Sequence, residues 1–246
     1  MTSLLERFSQ PLPGWVDEIN HEVFQRVSAG YYAKECRSGN INVVREIIYR
    51  FWPFIDAFPG MVNRGCLCLL KEDLFTNYGV GLVGLLRTGF SFLMGMEKDE
   101  ENHRSLWLKS AGALGLSRGD LQQMPILEIE TIIQSVGEDA DPFTMLLRFV
   151  TVEIVAESVS KDFLSSREFV SALGAEGTHW FRAHVGNAGM NHEELALRLV
   201  QSLHDKEMDK DGVSAVIQPM ADLFITAGEK CAELAMVKQD VETSHP

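Results

Sequence analysis

The residues best placed to do chemistry lie in the stretch Met96-Glu97-Lys98-Asp99-Glu100-Glu101-Asn102-His103-Arg104-Ser105-Leu106-Trp107. Projected as a helix turning about 100° per residue, Phe92, Met96, Trp107, Ala111 and Leu114 share one side. Glu100 and His103 fall among them, while Glu97, Lys98, Glu101 and Arg104 point elsewhere. Two groups that prefer water thus sit one turn apart on an apolar face. A buried carboxylate costs several kcal/mol unless something positive or hydrogen-bonding meets it. Either the two share a cation, with neutral imidazole and ionised carboxylate as ligands, or they form a hydrogen-bonded pair in the core.

Other ionisable residues sit on apolar helical faces in the same way. The segment from Pro142 to about Phe163 is apolar all round, yet it carries Glu153 and Glu157 one turn apart. Core positions are rarely ionisable without a partner, and Glu157 is taken as the functional one of the two. Further on, Trp180, His184, Ala188, Leu195 and Leu199 share a side, with His192 on its edge. Gly186 and Gly189 lie between the two histidines, where a local distortion such as a π-bulge is expected. Asp56 lies beside the stripe Val44, Ile48, Phe51 and Ile55. Asp56, Glu100, His103, Glu157, His184 and His192 therefore come from four helices. Imidazoles and carboxylates converging in a helical core form the ligand set of non-haem iron, with manganese as second choice. Phe92, Met96, Trp107 and Trp180 are the expected pocket walls, although aromatic residues at such spacing also serve as plain core.

The elements that must position these residues all have helical period, and no convincing alternating run bounded by hairpin turns occurs. A first helix is expected over about 15–28, with Val16, Ile19, Val23 and Val27 as its buried stripe. Asn40 is the expected N-cap of the next helix, which Pro53 and Pro59 should kink or end. The long helix of Glu100 and His103 ends near Leu116, and Ser117-Arg118-Gly119-Asp120 resembles a capping box. Pro142 suits the first position of the apolar helix. One continuous helix over about 177–204 and a last one over about 212–237 complete a single all-α domain, 1–246, with its core at about 15–235 and a frayed tail.

Bulk properties limit the function classes. At 246 residues, 46% hydrophobic and 23% charged, the chain has the make-up of an ordinary soluble globular protein. The net charge of −13 and the lack of a Lys/Arg cluster argue against nucleic-acid and anionic-membrane partners. The start lacks an apolar core of signal-peptide length, and the apolar run Gly79–Met96, carrying Arg87, reads as a buried helix rather than a span. A cytoplasmic location follows as the expectation. Cys36, Cys66, Cys68 and Cys231 form no disulfide framework or zinc knuckle and read as reduced, buried thiols. No nucleotide-type Gly-rich loop and no Gly-x-Ser-x-Gly occurs.

Three segments resemble the haem-oxygenase-like diiron oxidases, the helical superfamily that also holds thiaminase II, the pyrroloquinoline-quinone synthase and the chlamydial protein associating with death domains. Trp52-Pro53-Phe54-Ile55-Asp56-Ala57-Phe58-Pro59 resembles a second-helix segment that carries an acidic ligand in some members. Asp99-Glu100-Glu101-Asn102-His103, followed by Leu106-Trp107 and Ala113-Leu114-Gly115-Leu116, is similar to the Glu–His ligand helix. His179-Trp180-Phe181-Arg182-Ala183-His184, leading to His192-Glu193-Glu194, resembles the last ligand helix. That helix usually reads His, Asp four residues on, and His three further; here Ala188 and Asn191 stand at those places, and His192 comes one residue late. Asn187 is the nearest substitute for the carboxylate.

The resemblance implies a bundle of about seven to nine helices and an O2-activating iron oxidase, mono- or di-iron, acting on a small amine- or carboxylate-bearing substrate. On it, His103, His184 and Glu157 hold the first iron, Glu100 bridges or ligates, and Asp56 and His192 serve a second. A homodimer is expected. The alternatives are a metal-free enzyme or binder of a small heterocycle, as thiaminase II and the pyrroloquinoline-quinone synthase are, and a non-enzymatic helical interaction protein.

Overall fold

The computed structural model describes Glu6 and residues 8–69, 80–138, 140–185, 192–203 and 208–243, with side chains described except at 66–69, 80–94, 142, 192, 195, 203 and 240–243. Among the described residues there are eleven helices and no strand. They are α1 (Trp15–Ala29), α2 (Tyr31–Arg37), α3 (Ile41–Leu69), α4 (Val80–Ala113), α5 (Arg118–Leu121) and α6 (Leu127–Gly137), then α7 (Pro142–Leu164), α8 (Arg167–Gly177), α9 (His179–Val185), α10 (His192–Leu203) and α11 (Lys210–Thr243). The count exceeds the expected seven to nine for local reasons. α2 and α6 are short helices that were not expected, and the expected helix over 177–204 is described as α9 and α10, with residues 186–191 between them outside the description.

Local chemistry sets most of the boundaries. Asn40 Oδ1 accepts from Asn42 N at 3.3 Å where α3 begins. Ser117 and Asp120 make a reciprocal capping box at α5. At α7, Asp141 Oδ1 accepts from Phe143 N (3.0 Å) and Thr144 N (3.1 Å), with Pro142 in the first turn.

α7 is the axis of the assembly and packs against α1–α3, α6 and α8–α11. Leu146, Leu147, Phe149, Val150, Ile154 and Phe163 on it are buried. α1 presents Val16, Ile19, Val23 and Val27 inward, the stripe expected from its period. α4 packs against α3, α8 and α9. No helix among the described residues is long and apolar enough to cross a membrane. Cys36 and Cys231 are unpaired by disulfide and buried, while Cys66 and Cys68 lie outside the described side chains.

α3 runs through both Pro53 and Pro59 instead of ending at them. Pro53 has no N–H for the carbonyl of Tyr49, four residues back. Gln123 supplies the missing donor, its Nε2 lying 2.8 Å from Tyr49 O. Beside it, Trp107 Nε1 donates to Ile48 O at 2.9 Å. Gln123, from the α5–α6 connection, thus completes the ladder at Pro53, and Trp107 from α4 adds a donor to the neighbouring carbonyl. Removing Gln123 leaves a carbonyl short of a donor, which costs about 1 kcal/mol. In urea unfolding, Gln123→Ala is expected to lose about that much stability in the wild-type background and measurably less in a Pro53→Ala background, where residue 53 regains its N–H. Equal losses in both backgrounds would refute this role for Gln123.

Candidate functional site

The site is a mostly aromatic cavity at the centre of the bundle, with about 80 Å³ open to the centre of a water-sized sphere. Phe54 and Phe58 from α3, Trp107 from α4, Phe163 from α7, Trp180 from α9 and Phe224 from α11 supply much of its wall. Its described ionisable lining groups are Tyr32, Glu100, Glu153 and His184.

α4 delivers Glu100 and His103 together. Glu100 is 8% exposed, and its Oε1 lies 3.1 Å from His103 Nδ1. With the carboxylate as acceptor, His103 carries its hydrogen on Nδ1. Glu101, next in sequence, is exposed and pairs with Arg104 at 2.6 Å, on the other side of the helix as its position predicts.

α9 delivers His184. His184 lies near the end of the described part of this helix, His179–Val185. Here it is held by ring packing: Trp107 on Trp180 (4.7 Å between centroids) and Phe169 on Phe181 (5.1 Å). Phe181 is 2% exposed, and burying such a ring contributes roughly 1.5–3 kcal/mol. Within this frame His184 Nδ1 donates to Trp180 O at 2.8 Å. A carbonyl only accepts, so the proton is on Nδ1, and in the neutral ring Nε2 bears the lone pair. The His184 and His103 rings lie 4.3 Å apart, and His184 stacks on Trp180 at 4.1 Å. Both imidazoles therefore have Nδ1 bonded to an oxygen acceptor, the arrangement that fixes the tautomer of metal-binding and acid–base histidines alike.

Two expected ligands lie elsewhere. Asp56 is exposed and bonds Arg104 Nη1 at 3.3 Å. It is Ile55, one position earlier on α3, that faces the cavity. Glu157 pairs with Lys161 at 2.8 Å and lines a separate acidic cleft with Asp17, Asn20, Glu193 and Glu194. Glu153, one turn earlier on α7, lines the cavity instead. Because α7 is enclosed on most sides, its own pattern does not say which carboxylate faces α9 and which faces α1 and α10. Met96 is buried in the core but is not among the residues lining the cavity. His192 begins α10, but its side chain, that of Phe92, and residues 186–191 lie outside the description. His179 is partly exposed and lies 3.5 Å from Glu176.

Sequence reasoning passed over Tyr32, which lines the cavity and is 4% exposed. Its helix is short and was not expected. No cysteine is among the described lining residues. Burial pushes the Cys36 thiol well up, and pushes Cys231 up to about 12, so neither is poised as a nucleophile. Among the described residues, no three His, Cys, Asp or Glu side chains gather closely enough to hold a metal ion.

Glu193, in the acidic cleft, is 6% exposed and accepts from Asn20 Nδ2 at 2.5 Å. Burial, opposed by the Asn20 bond and reinforced by Glu157 and Glu153, pushes its carboxyl up to about 7. Between its ordinary value of 4.5 and 7, the folded state holds a proton that the unfolded state has lost. Stability contributed by Glu193 is thus full below 4.5 and falls as pH rises through 7, by an amount on the order of 3 kcal/mol. Urea midpoints compared at pH 5 and pH 8 should show Glu193→Gln losing less stability than wild type over that rise. The same slope for both proteins would refute it.

No protein-family model matches the chain, and no curated protein matches it in sequence. Solved structures share its fold. It is similar to a TenA homolog from Pseudomonas syringae pv. tomato, with a TM-score of 0.70 at 16% identity over 95% of this chain and 98% of that one. It is also similar to a domain of unknown function with a haem-oxygenase-like fold from Shewanella denitrificans, with a TM-score of 0.68 at 15% identity, covering 94% and 96% of the two chains. The chain thus has the haem-oxygenase-like, TenA-like all-helical fold.

Proposed function

We propose that the central cavity is the active site of a non-haem iron oxidase that uses O2 on a small substrate with a largely apolar body. One observation carries the reading: the His103 and His184 rings, from different helices and each with Nδ1 bonded to an oxygen acceptor, approach to 4.3 Å, and His184 shares the wall of an aromatic cavity with Glu100 and Glu153. On this reading Glu153 takes the place first given to Glu157. His103, His184, Glu100 and Glu153 are the described residues that would hold iron, and the ion when bound would supply the redox chemistry with O2. The chain's own part is to fix the two histidine tautomers, bring Glu100 and Glu153 to one cavity, and exclude bulk water with the Trp107–Trp180 wall.

These donor types suit iron, but as placed no three of the described side chains gather closely enough to hold the ion, so binding would have to draw them together. That second fact favours an alternative, a metal-free enzyme or binder of a small heterocycle, in which Glu100 and His103 act as an acid–base pair. The likeness to a TenA homolog points the same way. Iron content after anaerobic ferrous loading and desalting, read together with oxygen uptake, separates the two. The oxidase reading expects bound iron that is lost in Glu153→Ala and His184→Ala and kept in Glu157→Ala and Asp56→Ala. No iron retained by wild type, or equal loss in Glu153→Ala and Glu157→Ala, would overturn it.

A further inference from the structure

Tyr32 is held in an unusually tight seat. A Cβ on Gly228 of α11 would lie 2.9 Å from Tyr32 Cγ and Cδ2 and 3.0 Å from Cδ1. A Cβ on Gly30 would lie 2.7 Å from Tyr32 Cε1 and 2.9 Å from Glu229 Oε1. Neither glycine has a positive φ, so what these positions need is the missing side chain and not a left-handed backbone. Glu229, next to Gly228, fixes the other end of the contact: its Oε1 accepts from Tyr31 N at 2.7 Å and its Oε2 from Tyr32 N at 3.3 Å. The start of α2 is thereby tied to α11 by a carboxylate on the first backbone N–H groups and by a ring laid against bare backbone.

The seat bears on the cavity, because Tyr32, Gly228 and the neighbouring Phe163 all line it. The Tyr32 and Phe163 rings meet edge-on, 6.4 Å between centroids. With α11 on one side and Gly30 on another, the cavity is the open space that the Tyr32 ring borders, and a ring displaced from Gly228 moves toward it. We infer that Gly228, by seating the Tyr32 ring, sets the depth of the cavity and so the length of ligand it accepts. This rests on the reading of the cavity as the ligand site, whether or not iron is bound there.

The test is binding of straight-chain primary alcohols, butanol to decanol, followed by the fluorescence of the full chain, whose Trp107 and Trp180 line the cavity. Wild type is expected to bind more tightly with each added methylene up to a limiting length. Gly228→Ala should shorten that limit and weaken the longest bound alcohol about tenfold, the equivalent of a methylene or two of lost burial, with butanol unchanged. Tyr32→Leu should lengthen the limit, and if Gly228→Ala alone fails to fold, the pair Gly228→Ala with Tyr32→Leu, in which the added methyl meets no ring, should fold and keep the longer limit. If wild type binds none of the series, the cavity reading fails and this inference with it. If wild type binds but the limit is the same in the folded variants, the cavity reading stands and the role of Gly228 is refuted.

Discussion

The constraint on which the structure turns is that α7 has almost no solvent side. Packed against eight neighbouring helices, it offers an ionisable residue few places to go. Thr151 answers this by bonding back to Leu147 O at 2.8 Å. Asp162 pairs with Arg37, which reaches across from α2. Glu157 reaches the acidic cleft and Lys161. Glu153 opens into the aromatic cavity, opposite a helix that brings Glu100 and another that brings His184. The polar centre exists because the axis of the bundle carries charge that the bundle encloses.

Chemistry and packing are joined most closely at α9. The position of His184 is held by rings on the turn before it. Trp180 and Phe181 lock into Trp107, Phe163 and Phe169, and the same Trp180 that walls the cavity presents the carbonyl that fixes the His184 tautomer. Orientation of the imidazole is therefore an outcome of core packing on three helices rather than of residues beside it in sequence.

Local signals were legible in the sequence because they act over one or two turns. The inward stripe of α1, the Ser117–Asp120 box, the Asp141–Pro142 start of α7 and the inward placement of Glu100 against the outward Glu101 all belong to this class. So does the all-helical architecture, whose resemblance to haem-oxygenase-like proteins the solved structures bear out at the level of fold. What failed depended on which neighbour packs against which face. Glu153 and Glu157 differ by one turn on a helix with no obvious outside, and Asp56 differs from Ile55 by a single step around α3. Tyr32 was missed because its importance comes from two glycines, one of them nearly two hundred residues away in the chain, and a glycine announces nothing about what will lie on it.

The repair of α3 at Pro53 has a consequence for how the molecule comes apart. Because the Tyr49 carbonyl that Pro53 leaves open is served by Gln123, with Trp107 bonded to the Ile48 carbonyl beside it, the middle of α3 is finished by tertiary structure. Cut free, the same segment would behave as two shorter helices meeting at an incomplete turn. Its continuity is conferred by α4 and the α5–α6 connection, so these three pieces of chain should open and close as one cooperative unit, and loosening near Gln123 would be felt at the cavity wall through Phe51 and Phe54.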